Sequence, residues 1–222
     1  MRMAARSMRA AAGTAAGVGR AAAAAALLAV FLGGAGSDQV RLALQPGELS
    51  LGRPDAPLTM VEFTDYQCPY CRRFAAEVWP KLKREYIDTG KLRYIARDLP
   101  LQFHASAAPA AEAAHCAGEQ GKFWEMHAAL LGGAADLQSG GIERRASALG
   151  LDMATFGECV ARRTYAELIA AHVHEADAVG IDGTPGFVVG RVSGNELEGV
   201  RVEGALPYEE FAELLRELLA AG

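Results

Sequence analysis

Two cysteines at the junction of a strand and a helix constrain this chain more than any other feature. Cys68-Pro69-Tyr70-Cys71 follows the apolar run LTMVEF at 58–63, which reads as a buried strand, with 65–67 as a turn. A helix is expected from Pro69 to about Asp88, ended by Gly90. Phe74, Val78 and Leu82 fall at i, i+4 and i+8 and make its core face. Pro69 suits the first helical turn, where a missing N–H costs nothing, whereas Pro80 lies inside the helix and should kink it. The placement sets Cys68 beside free backbone N–H groups and the positive end of the helix dipole, which both favour a thiolate. Cys71, one turn further on, points toward the core. An exposed attacking sulfur and a protected resolving sulfur are therefore expected. A depressed Cys68 pKa stabilises the dithiol and makes the disulfide the stronger oxidant. Asp65 works against this, because a nearby carboxylate raises a thiol pKa.

Other uses of such a motif fit less well. A purely structural bridge closing so short a loop would stabilise little. A metal site needs a second ligand pair, and the local candidates are badly spaced. His172 and His174 are two apart on a helix and face different ways, and His115 adjoins Cys116. No metal and no other cofactor is expected.

The N-terminus bears on the compartment. Arg2, Arg6, Arg9 and Arg20 precede the twelve-residue apolar run AAAAAALLAVFL at 21–32, and small residues follow to Ser37. This is the layout of a secretory signal over 1–37. The run is short of the ~20 residues of a spanning helix, so a retained anchor is the secondary reading. No cysteine lies near the cleavage zone, which argues against a lipid anchor. With the four leader arginines set aside, 18 basic residues face 27 acidic ones, a balance of −9. No basic block stands out, so nucleic-acid binding has no support. A composition of 51% hydrophobic and 22% charged residues is that of a globular protein. In an oxidising compartment four cysteines imply two disulfides, with three possible pairings.

The remaining pattern divides the chain after the leader into 38–102, 103–179 and 180–222. The first part holds a polar lead with one edge strand near 48–51, then strand, helix and a second strand at 91–96 (KLRYIA). The middle is rich in alanine, broken by glycines, and reads as four or so short helices. The last part holds a strand at 186–192 after the Thr184-Pro185 turn, a hairpin partner at 198–202, and a helix from about Pro207. In that helix Phe211, Leu214, Leu215, Leu218 and Leu219 follow helical spacing. A parallel strand–helix–strand unit followed by a hairpin and a helix makes a mixed α/β sheet, with a helical block between its halves.

VEFTDYQCPYC, the later GKFWEMHAALL and the late Gly183-Thr184-Pro185 together resemble the DsbA-like branch of the thioredoxin superfamily, from Leu58 to the C-terminus. The resemblance implies a thioredoxin-like fold with an inserted all-helical domain, and an enzyme that exchanges disulfides with cysteine-containing exported proteins. It implies a membrane quinone-linked partner that reoxidises the enzyme. It implies that Pro185 is cis and faces the two cysteines, with Thr184 beside it and Pro69 and Tyr70 contacting substrate. Glu62, six residues before Cys68, matches a buried glutamate that relays a proton to Cys71; the other reading is a glutamate facing solvent at a strand end. Phe123 and Trp124 resemble a helix-packing signature. Once Cys68 and Cys71 pair, Cys116 and Cys159 remain. They are expected to staple two insertion helices, two free buried thiols being the alternative. A disulfide isomerase or reductase is the closest rival function, since Pro-Tyr and Thr-Pro also occur in exported isomerase relatives. Those carry an N-terminal dimerisation domain, for which the about twenty residues between the expected cleavage point and the strand at 58 leave no room, so a monomeric oxidase is expected. Intact Cys68, Cys71 and Pro185 argue against a non-catalytic binding factor.

Overall fold

The computed structural model describes residues 39–132, 137–138 and 140–221; the expected secretory leader lies outside them. Strand β3 (Leu58–Thr64) is buried along its whole length because both of its faces are covered. Met60 joins a core cluster under the helices on one face, and Val61 and Phe63 join the cluster on the other. It pairs in parallel with β4 (Leu92–Asp98) and antiparallel with β5 (Gly186–Ser193). β5 turns back into β6 (Glu196–Glu203), and with the edge strands β1 (Gln39–Ala43) and β2 (Ser50–Leu51) the order across the six-stranded sheet is β1-β6-β5-β3-β4-β2.

The parallel β3–β4 pair needs a crossover, which the CxxC helix supplies. It is not one regular helix. α1 (Pro69–Arg73) passes into a π-helical turn at Phe74–Val78, α2 (Trp79–Leu82), and a second π-helical turn at Lys83–Ile87. The first π turn ends two residues before Pro80. A proline ring cannot sit against the carbonyl four residues back, and a widened turn relieves that clash. The expected kink is thus taken up as a π turn. Phe74, Val78 and Leu82 are buried as their spacing predicts, and Phe74 packs against Phe187 of β5 and Phe211 of the last helix at centroid distances of 4.8 and 5.6 Å.

Among the described residues five helices lie between β4 and β5: α3 (Ala107–Gly118), α4 (Phe123–Gly132), α5 (Gly141–Ala148), α6 (Met153–Arg162) and α7 (Ala166–Ala178). Cys116 of α3 and Cys159 of α6 form a disulfide. The chain closes with α8 (Tyr208–Ala220), which buries Phe211 and Leu215. One strand escaped the sequence altogether. β1 (Gln39–Ala43) pairs with β6 at the sheet edge, and only Leu42 of its five residues is buried. β2 (Ser50–Leu51), at the other edge, falls inside the expected segment.

Candidate active site

Cys68 is the residue that caps α1. Its backbone is extended (φ −67°, ψ 126°), and Pro69 begins the helix. Both cysteines are free thiols. Cys71 is fully buried, and Cys68 is only 3% exposed rather than open as expected. The reason is a ceiling across the motif. The Cys68 thiol donates to the Thr184 carbonyl at 3.3 Å, 116 residues away. The Thr184–Pro185 peptide bond is cis. Asymmetry between the two sulfurs therefore lies in their ionisation rather than in their exposure.

The Cys68 thiol is lowered to about 5. The largest cause is a hydrogen bond from the Cys71 thiol. Burial opposes it, while Thr184 and the N–H groups of Cys71 and Tyr70 add to it. The buried Thr184 hydroxyl has no other hydrogen-bond partner, so it can turn to a thiolate. Burial pushes the Cys71 thiol far up, and the Cys68 sulfur and the Glu62 carboxylate push the same way. Cys68 is the sulfur that ionises; Cys71 keeps its proton.

Glu62 is 1% exposed, which removes the solvent-facing alternative. Its neighbours in the sheet are Ala96 and Phe187. Tyr94, on β4, donates a short hydrogen bond to Glu62 Oε2. Burial raises the carboxyl to about 7, against the pull of hydrogen bonds from Tyr94 and Thr64. A second buried pair lies on the turn into the motif: Tyr66 Oη meets His127 Nδ1 at 2.9 Å. Burial holds Tyr66 protonated and lowers His127 to about 4, so the tyrosine donates and the neutral imidazole accepts.

Asp65 plays a part that the sequence reading missed. Its carboxylate is buried and takes four donors: the N–H groups of Gln67 (2.7 Å), Cys68 (3.1 Å) and Leu101 (2.9 Å), and His104 Nδ1 (2.8 Å). Gln67 Oε1 in turn accepts the Ser106 N–H at 2.7 Å. Asp65 is thus a clamp that fixes the turn before Cys68 and bolts the β4–α3 loop to it. The carboxylate does not prevent the fall of the Cys68 thiol. An acidic residue two and three positions before the N–H groups it accepts is an ordinary capping pattern, and that signal was present in the sequence. Tyr94 left no such signal, being 32 positions from Glu62.

Glu62, Cys68, Cys71, Thr184 and Pro185 thus come together at one end of the central strands. Pro69 and Tyr70 lie on the exposed side of the motif, and the Arg73 guanidinium sits 5.3 Å from the Tyr70 ring centre. Cys116 and Cys159 lie apart, in the helical block. His172 and His174 do not act as a pair, but His115 and His172 meet at Asp98. That meeting is long-range and lies outside the spacing argument, which concerned only near neighbours in the chain.

A family profile described as Thioredoxin matches residues 44–217. The chain belongs to this thioredoxin family. Within it, the fold is that of the DsbA branch. The crystal structure of Wolbachia pipientis alpha-DsbA1 superposes with a TM-score of 0.72 at 27% identity, covering 81% of this chain and 94% of that one. Disulfide bond formation protein D of Bacillus subtilis is 33% identical over 87 residues, 38% of each chain. A Na(+)/H(+) antiporter of Salinispora tropica is 42% identical over 139 residues, 62% of this chain. The match is 21% of the antiporter's length, so this DsbA-like chain spans about a fifth of such curated relatives.

Proposed function

We propose that this DsbA-like chain is a thiol–disulfide oxidoreductase that donates the Cys68–Cys71 disulfide to cysteine-containing exported proteins. The observation that carries the reading is the opposed ionisation of the two thiols beneath a cis Thr184–Pro185 bond. A substrate thiolate attacks Cys68 Sγ of the oxidised enzyme. The substrate–Cys68 bond forms, the Cys68–Cys71 bond breaks, and Cys71 leaves with the electron pair. Because the Cys71 thiol is held so high, the leaving sulfur takes a proton at once. Glu62, close to neutral pH in its titration, is the buried acid that supplies it. A second substrate thiolate then attacks the substrate sulfur and expels Cys68. Cys68 leaves readily because its thiolate is stable. The substrate gains a disulfide, and the enzyme gains two electrons as a dithiol.

Thr184 and Pro185 serve as the ledge on which an extended substrate lies, with Pro69 and Tyr70 on the opposite rim. Export of a monomer by a signal at 1–37, with reoxidation by a membrane quinone-linked protein, completes the reading. The arginine-rich, apolar leader supports export, as does the Cys116–Cys159 disulfide, which needs an oxidising compartment. Among the described residues no helix is long and apolar enough to cross a membrane. The transport named for the antiporter relatives is not carried over. The deciding experiment is the reduction potential of the Cys68–Cys71 pair against glutathione. A value near about −120 mV marks an oxidant, and one near about −270 mV sinks the oxidase reading in favour of a reductase.

A further inference from the structure

Behind the CxxC turn, three elements place three metal-ligating side chains at one point. Asp98 ends β4, His115 is on α3 and His172 is on α7; all three are buried. Their ligand atoms lie within 4.8 Å of one another. His115 Nε2 is 2.7 Å from Asp98 Oδ2, and His172 Nδ1 is 3.2 Å from the same oxygen. Ligands on a tetrahedral ion with bonds of about 2.0–2.1 Å stand roughly 3.3 Å apart, so these separations need to open by only about half an ångström.

The contact at His172 is unbalanced as it stands. Nδ1 is also 3.2 Å from the Asp98 N–H. If Nδ1 accepts that N–H, it carries no proton, and its lone pair faces the Asp98 carboxylate. If Nδ1 carries a proton, it faces the Asp98 N–H donor instead. Neither neutral tautomer satisfies both contacts. A cation bound by Oδ2 and by the single Nδ1 lone pair removes that repulsion, in exchange for the 3.2 Å contact to the Asp98 N–H. His115 is held for ligation by Tyr165, stacked on its ring at 5.0 Å, and by Phe123 at 5.2 Å.

We propose that Asp98, His115 and His172 form a binding site for one divalent ion of the zinc class, separate from the redox pair. Two imidazoles and a carboxylate suit such an ion and leave one coordination position open. The ion would tie α3 and α7 of the helical block to the end of β4. Ligation through Nε2 requires the His115 tautomer that carries its proton on Nδ1.

The test uses untagged full-length protein with Cys68–Cys71 oxidised, so that those thiols cannot bind metal. Zinc is added either to the native protein or during refolding from urea, and the protein is then dialysed and its metal content measured. About one equivalent is expected, with a Tm rise of roughly 5–10 °C at a hundredfold excess over Kd. Co2+ in place of zinc should show the visible bands of a low-coordinate site, a reading that needs no variant. Asp98→Asn, which keeps the size of the side chain, and His172→Ala should each weaken zinc binding at least about tenfold while far-UV circular dichroism is unchanged. No stoichiometric zinc by either route overturns the proposal. Binding that survives both substitutions overturns it too, as does binding seen only when Cys68 and Cys71 are reduced.

Discussion

The chain uses the same side chain twice, in opposite ways. Cys116 and Cys159 are 43 residues apart, both buried, and joined. Cys68 and Cys71 are equally buried, yet free, and their thiols are driven apart in ionisation. Burial therefore does not make a cysteine inert. The difference lies in what surrounds the sulfurs. Cys68 has a helix N-terminus beneath it and Thr184 across from it, groups that stabilise a thiolate. The second pair closes a long loop, where a bond restricts the unfolded chain most. One pair is arranged for exchange and the other for stability.

The largest expected effect breaks the comparison at its centre. Cys68→Ser should lower disulfide transfer to a reduced peptide by more than about a hundredfold, because the attacked sulfur is gone. Cys159→Ser should leave that transfer within a factor of about two. If Cys159→Ser abolishes transfer in a folded protein, the two pairs are not separate in role.

The next effect tests the other side. Closing 43 residues contributes about 4 kcal/mol in the chain-entropy account. Cys159→Ser should thus lower Tm by roughly 8–16 °C. The potential of the Cys68–Cys71 pair should move by less than about 30 mV, the equivalent of 1.4 kcal/mol. An unchanged Tm would show that the bond is dispensable to the fold.

The contrast between the pairs was legible in the sequence where it rested on local pattern. A buried strand running into an amphipathic helix placed Cys68 and Cys71, alternation found β4, the Thr184-Pro185 turn announced β5, and the helical stripe found α8. What escaped was long-range. β1 is an edge strand with one buried residue, held by a partner over 150 positions away. The Glu62–Tyr94 bond joins adjacent strands, and the His115–Asp98–His172 cluster joins elements separated by 17 and 74 positions. No periodicity reports such meetings, because they exist only once the sheet and helices have packed.

Asp65 sharpens the comparison by testing how tightly the exchanging pair must be held. Asp65→Ala leaves four donors without their acceptor. A buried donor left unpaired costs about 1–3 kcal/mol, and some of these can reach water. A loss of roughly 3 kcal/mol in urea unfolding is expected, with a several-fold slower transfer as the turn before Cys68 loosens. Full transfer in the variant would show that the clamp serves stability alone.

Glu62 separates function from stability most cleanly, because its two effects run in opposite directions. Its carboxyl titrates at about 7 in the fold, against 4.5 for an ordinary glutamate. A raised acid binds its proton more tightly when folded, so it costs nothing below pH 4.5. The cost grows between 4.5 and 7 and is complete above 7, at about 3 kcal/mol. Glu62→Gln cannot ionise. Any lost hydrogen bond to Tyr94 adds an offset independent of pH. The variant's stability relative to the parent should therefore rise by up to about 3 kcal/mol from pH 4 to pH 8, read from urea midpoints. Transfer should meanwhile slow by roughly tenfold near neutral pH, where Cys71 loses its proton donor. A flat stability difference would mean that Glu62 ionises normally in the fold. A stability gain with no loss of rate would leave the acid without a part in the exchange. Both changes together are what a group retained for chemistry at the expense of stability must show.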